Sequence, residues 1–168
     1  MIRRTVISIL AALMICTPLA VAAEATLPPW RRDLPDGREQ ATIVVGETEV
    51  TVDLALTSSQ QSLGLGYRNG LDEDHGMLFV FDNYRSRTFW MKGMRFCLDI
   101  IWIRDDVIVG AAESVCPDPD GTIDADRATF ESVESVNYVL EMDAGWLDSH
   151  GYGPGTHVDF SQLPEFGN

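Results

Sequence analysis

The chain has 168 residues, with 26 Asp plus Glu against 12 Lys plus Arg and a formal net charge of −14. That length suits one domain with a real core, and so acidic a balance argues against nucleic acid or an anionic membrane surface as partner. An unidentified small-molecule or protein partner remains open.

At the N-terminus, Arg3 and Arg4 precede an uncharged, mostly apolar run over 5–23, which Glu24 ends. Small residues stand at Ala20, Ala22 and Ala23. A basic start, an apolar centre and an A-x-A-like end predict a secretory signal peptide over 1–23. Cleavage after Ala22 or Ala23 fits equally, and a retained anchor helix is the alternative. Cys16 lies within this segment. Export places the protein in the periplasm or outside the cell. No second apolar run approaches spanning length, so no stable membrane insertion is expected after processing.

Residues 24–40 hold Pro28, Pro29, Pro35 and Gly37 and read as an irregular leader. A single β-rich domain is expected over 41–160, with a tail at 161–168. Runs at 41–45 and 49–56 flank Gly46-Glu47-Thr48, a hairpin pattern. In the second run Val50, Val52, Leu54 and Leu56 alternate with Thr51, Asp53 and Ala55, the period of a strand with one face buried. Thr57 with Gln60 three residues on forms a capping-box pattern, predicting a short helix over 58–65. Aromatic and β-branched stretches at 77–81, 87–91, 96–104 and 107–115 read as strands, the last two joined by a turn at Arg104-Asp105-Asp106. Segment 118–126 is a polar loop. Segment 136–142 fits a strand or a short buried helix, 143–150 one or two helical turns, and 157–160 a last strand. The fold class expected is mainly β: a compact sandwich or barrel-like domain of short antiparallel strands with one or two short helices.

Cys97 and Cys116 survive processing, and an even count in an exported chain predicts a disulfide. Counting outward from the Asp105-Asp106 turn places Cys97 opposite Ser114, with Cys116 on the diagonal. A one-residue bulge brings the pair toward register, near the limit of about 7 Å between Cα atoms.

Five motifs carry a family resemblance. They are Gly64-Leu65-Gly66-Tyr67-Arg68, Gly76-Met77-Leu78-Phe79-Val80-Phe81, Phe89-Trp90-Met91-Lys92, Leu98-Asp99-Ile100-Ile101 and Val139-Leu140-Glu141-Met142 followed by Ala144-Gly145. In order and spacing the chain resembles the family called domain of unknown function 192, from about residue 41 to 159. Gly66 stands where the family pattern has Met, Gly93 where it has Asn, and Cys97 where it has Pro. The resemblance implies a compact, mainly β fold, often exported, and carries no activity with it. The cysteine at the proline position supports a bridge peculiar to this subgroup.

Charged residues inside the apolar motifs are the candidate site. Asp99 sits between Leu98 and Ile100, and Glu141 between Leu140 and Met142. A buried carboxylate is costly unless paired. Arg68, Trp90, Lys92, Asp99 and Glu141 could converge on a small polar pocket, or the charges could be ion pairs that fix strand register. No G-x-S-x-G elbow, C-x-x-C or H-x-x-x-H spacing occurs, so neither a serine nucleophile nor a metal or other cofactor is called for. The loop from Cys116 to Arg127 is a near miss for a calcium loop, with Cys and Arg at the ends where acids belong, and reads as a solvated acidic loop. The function expected is a non-enzymatic binding or interaction module of the cell envelope. The alternative is a small hydrolase-like envelope enzyme using Asp99 and Glu141 as a carboxylate pair.

Overall fold

A computed structural model describes residues 38–164. The expected signal peptide, most of the leader and residues 165–168 of the tail lie outside the described residues. The elements run β1 (Gln40–Val45), β2 (Thr48–Ala55), α1 (Ser58–Leu63), β3 (His75–Arg85), β4 (Thr88–Trp90), β5 (Leu98–Arg104) and β6 (Val107–Val115). A 3-10 turn (Asp124–Asp126), β7 (Thr129–Glu131), β8 (Val136–Asp143), α2 (Trp146–His150) and β9 (Val158–Asp159) complete them. Seven strands form one curled sheet in the order β6-β5-β8-β3-β2-β1-β9, and β4 pairs with β7 in a separate ribbon. The fold is mainly β, as the sequence predicts.

The first hairpin closes with Val45 opposite Thr48. Gly46 takes the first turn position at φ +60, and a Cβ there would lie 2.4 Å from the Tyr152 ring. Both the dihedral and the close approach require glycine. The capping box forms as patterned: Thr57 Oγ1 accepts from Gln60 N and Gln60 Oε1 accepts from Thr57 N. That short helix has a topological effect. It carries the chain from the end of β2 back to the start of β3, so these two strands pair in parallel. The expectation of antiparallel strands fails at this one pair, because a crossover connection replaces a hairpin.

The sheet is buried on both faces. On the concave face Ile43, Val50, Val52, Leu54, Leu78, Ile101, Ile103, Ile108, Leu140 and Val158 pack with Trp146 and Leu147 of α2. On the convex face Met77, Phe79, Leu98, Ile100, Trp102 and Val139 pack beneath Leu65 and Met91, and the β4–β7 ribbon lies over them. Phe89 of β4 meets Phe79 edge-on at 4.9 Å and Trp102 at 5.6 Å between ring centroids. Two-sided burial explains why β5 and β8 place apolar residues on both faces and show no clean alternation. It also explains why segment 136–142 resisted assignment by period: β8 is an interior strand held between β3 and β5.

Segment 155–159 straps the two sheet edges together at one end. Val45 pairs with Val158, while Val158 N donates to Asp106 O at 2.7 Å and Ile108 N to Thr156 O at 2.9 Å.

The β5–β6 hairpin holds two one-residue shifts. Arg104 faces Val107 and Ile103 faces Ile108, but Trp102 faces Gly110, and Leu98 faces Val115. Ser114 takes φ +52 at the second shift. Two bulges, where one was expected, bring Cys97 and Cys116 together at a Cα–Cα distance of 4.0 Å with an S–S bond of 1.98 Å. The bridge closes a loop of sequence separation 19, for which chain entropy gives about 3 kcal/mol. Peptide mapping of the unreduced protein should recover a Cys97–Cys116 linked pair. Reduction should lower the melting temperature, and recovery of both thiols free would refute the pairing.

Candidate functional site

Strand alternation decides which charges meet. Asp99 of β5 stands opposite Met142, and Glu141 of β8 stands opposite Ile100. Met142 packs in the concave core and Ile100 in the convex core, so the two carboxylates project from opposite faces of one sheet. The carboxylate pair required by the enzyme reading does not converge.

Asp99 is fully buried. Its Oδ1 accepts from Ser114 N at 2.8 Å and Gly145 N at 3.1 Å, and its Oδ2 from Leu147 N at 3.0 Å. Ser114 is the bulge residue of β6. Gly145 and Leu147 open α2, which has no capping side chain of its own. Asp99 therefore caps α2 from another strand and pins the bulge, its charge balanced by backbone donors. Neither Lys92 nor Arg68 reaches it.

Arg68 belongs to a third place. Its Nη2 lies 2.6 Å from Asp53 Oδ2. Gln40 Nε2 donates to Asp53 Oδ1 at 2.8 Å, and His75 Nε2 lies 3.4 Å from the same oxygen. Burial alone would raise the Asp53 carboxyl, but Gln40, Arg68 and His75 together hold it below the usual range. This network links β1, β2, β3 and the end of the glycine-rich segment, and it is structural in form. Nearby, Gly93 sits at φ +75 against the Tyr67 ring, whose backbone N donates to Gly93 O at 2.8 Å. The family pattern has Asn there, the other residue that tolerates a left-handed backbone.

Glu141, Trp90 and Lys92 do share one feature, a cleft of about 500 Å³ on the convex face. Its floor is Phe79 of β3 and Glu141 of β8, one wall comes from α1 and Gly64-Leu65, and the other from β4. Trp90 is 44% exposed at the rim, with Lys92 Nζ 5.1 Å from its ring centre. Lys92 also pairs with Asp124. Arg127 holds Asp124 and Asp118, so basic side chains engage the acids of the loop that resembled a calcium site.

Glu141 is the anomaly. It is 5% exposed, and its Oε2 has no hydrogen-bond partner among the described residues. Burial pushes its carboxyl up to about 8, against an opposing pull from Arg38. With a value that high the protonated form dominates at neutral pH, and a protonated carboxyl can donate a hydrogen bond as well as accept one.

The cleft holds residues outside the candidate set, two of them arginines outside the motifs as well. Phe81, Arg85 and Arg87 line it from the end of β3 and the turn into β4. Arg87 stacks on Phe81 at 3.7 Å from the ring centre. The available signal was two arginines one residue apart, Arg85-Ser86-Arg87, in an acid-rich chain.

A family model described as DUF192, Uncharacterized ACR, matches residues 41–160. The fold is also similar to that of a Sinorhizobium meliloti 1021 protein provisionally labelled a transcription regulator. The two are 32% identical, with 73% of this chain and 94% of that one covered and a TM-score of 0.66. A Novosphingobium aromaticivorans protein of unknown function is 26% identical, with 73% and 85% covered and a TM-score of 0.62. No curated protein matches the chain.

Two predictions follow from the buried carboxyls. In Asp99→Asn one acceptor oxygen becomes an N–H group facing backbone donors. Hydrogen bonds to a charged group contribute about 1.5–3 kcal/mol, so denaturant unfolding should show a loss of about 3 kcal/mol. A loss below about 1 kcal/mol, the scale of an exposed pair, would defeat the capping role.

For Glu141 the sign is fixed by its raised value of about 8 against about 4.3 in the unfolded chain. Its contribution to stability is fully present below the unfolded value and is lost as pH rises through the folded one. Across that window wild type should lose up to about 1.4 kcal/mol per pH unit relative to Glu141→Gln. Parallel stability-versus-pH curves for the two proteins would show that the carboxyl is not buried and protonated.

Proposed function

The chain belongs to the domain of unknown function 192 family, and on that premise we propose that it is an exported, non-enzymatic binding module whose convex-face cleft takes a small ligand. The observation that carries this reading is that Glu141 lines the cleft while its buried Oε2 has no hydrogen-bond partner among the described residues. Native proteins satisfy nearly all buried polar groups, so such an oxygen calls for an explanation, and a ligand or a water beside it is one. An aromatic rim at Trp90 and an apolar floor at Phe79 fit the general character of a ligand pocket. The separation of Asp99 from Glu141 removes the geometric basis of the acid–base pair, so the hydrolase-like reading is not carried forward.

Export draws its support from the pattern of residues 1–23 and from the Cys97–Cys116 bridge, since such bridges persist in oxidising compartments. The transcription-regulator label of the Sinorhizobium protein is not adopted for this chain, whose net charge of −14 would repel DNA phosphates.

The test is a thermal-shift screen of the purified protein against a metabolite library, because a ligand that binds the folded state raises apparent stability. A true cleft ligand should lose its shift in Trp90→Ala, a rim substitution that leaves the core intact. Hits that persist in that variant bind elsewhere, and a library without hits would sink the small-ligand reading. In parallel, intact mass of protein from the native host should begin near Ala23 or Glu24. A full-length chain in the membrane fraction would exclude processing.

A further inference from the structure

The charge pattern of the cleft points beyond an unspecified ligand. Arg68, Lys92, Arg104 and Arg127 each meet a carboxylate. Arg95, which bonds Asn69 away from the cleft, meets none among the described residues, and nor do Arg85 and Arg87, in a chain with 26 acids. Both line the cleft. Arg87 gives its Nη2 to Asn83 O at 2.5 Å and Asn83 Oδ1 at 2.9 Å, while its Nε is buried with no partner among the described residues. Burial and then the neighbouring Arg85 both pull its guanidinium below the usual arginine range. Two like charges beside one cleft are unfavourable alone and favourable around an anion. Phe81 and Phe89 line the same cleft with the Phe79 floor, and Trp90 stands at the rim.

We infer that the ligand of this cleft is an amphipathic anion: a carboxylate or phosphate head held by Arg85 and Arg87, and a flat apolar body lying against Phe81, Phe89 and Trp90. The inference rests on the cleft being a binding site and adds the chemical class of what binds. Arginine suits both heads, because its planar fork matches either one with two parallel hydrogen bonds. Flat apolar bodies suit the aromatic walls, which offer ring faces and edges. An acidic protein surface elsewhere disfavours anions at long range. Selectivity must then come from these two guanidiniums at contact, and Lys92 is already neutralised by Asp124.

Three probes of one shape separate the possibilities: 2-naphthoate, 2-naphthyl phosphate and the neutral 2-naphthamide. Each is titrated into the full protein while the indole N–H signal of Trp90 is followed by NMR, with the signals of buried Trp102 and Trp146 as controls. At least one anion should bind about tenfold more tightly than the amide, the scale of one charge-assisted contact. Whichever anion wins identifies the head. Arg85 is exposed, so Arg85→Gln should fold normally, reduce the anion to the affinity of the amide and leave the amide unchanged. Equal binding of anions and amide, or an anion unaffected by Arg85→Gln, overturns the inference while leaving a cleft that binds. Failure of all three probes to move the Trp90 signal also overturns it, and the metabolite screen then judges the cleft separately.

Discussion

The carboxylate of Asp99 is the point on which the concave side of this molecule depends. Three backbone N–H groups converge on its two oxygens, one from the bulge in β6 and two from the start of α2. None of those groups has a ladder or helix partner to fall back on, because a bulge interrupts pairing and a helix start leaves its first donors free. One buried side chain thus solves two backbone problems at once. The same bulge sets the register that places Cys116 opposite Cys97, so the covalent bridge and the ionic cap constrain one short stretch of β6 from both sides. Trp146 and Leu147, positioned by that cap, fill the open end of the concave core.

A sheet covered on both faces keeps its chemistry apart. Neighbouring residues along β8 face different worlds: Met142 enters the concave core, and Glu141 enters the cleft. Asp99 is satisfied and enclosed, while Glu141 is enclosed and its Oε2 has no partner among the described residues. The two carboxylates thus differ in their surroundings although one sheet carries both. That difference follows from the two-residue period of a strand and from no feature of the carboxylates themselves.

Much of this was legible in the chain. Strands β1, β2, β5 and β6, the capping box at Thr57 and Gln60, and the family motifs could be read because their signals are local: alternation, a four-residue spacing, a turn dipeptide. What stayed hidden was non-local. The pairing of β2 with β3 in parallel depends on where α1 delivers the chain. Three-residue strands such as β7 carry too little period to register. The motifs brought Arg68, Trp90, Lys92, Asp99 and Glu141 forward together because each is a charge or ring among apolar residues. Sequence alone could not sort them, since face and depth are properties of the assembled sheet. Arg85 and Arg87 were missed for the opposite reason. They sit at a polar strand end where arginines are unremarkable, and what sets them apart is that they line the cleft without a carboxylate partner among the described residues.

The strap at 155–159 has a bearing on how the chain comes to be folded. It forms hydrogen bonds with both margins of the curled sheet, yet it follows every other strand in sequence. Until it arrives, the outer margins of β1 and β6 present unmatched amide and carbonyl groups, the surfaces through which β proteins associate with one another. A chain synthesised from its N-terminus exposes those margins until residues 155–159 emerge, and unpaired strand margins are surfaces open to aggregation. Once the strap docks, those margins are shielded at that end, and the finished domain is far better protected than its precursor.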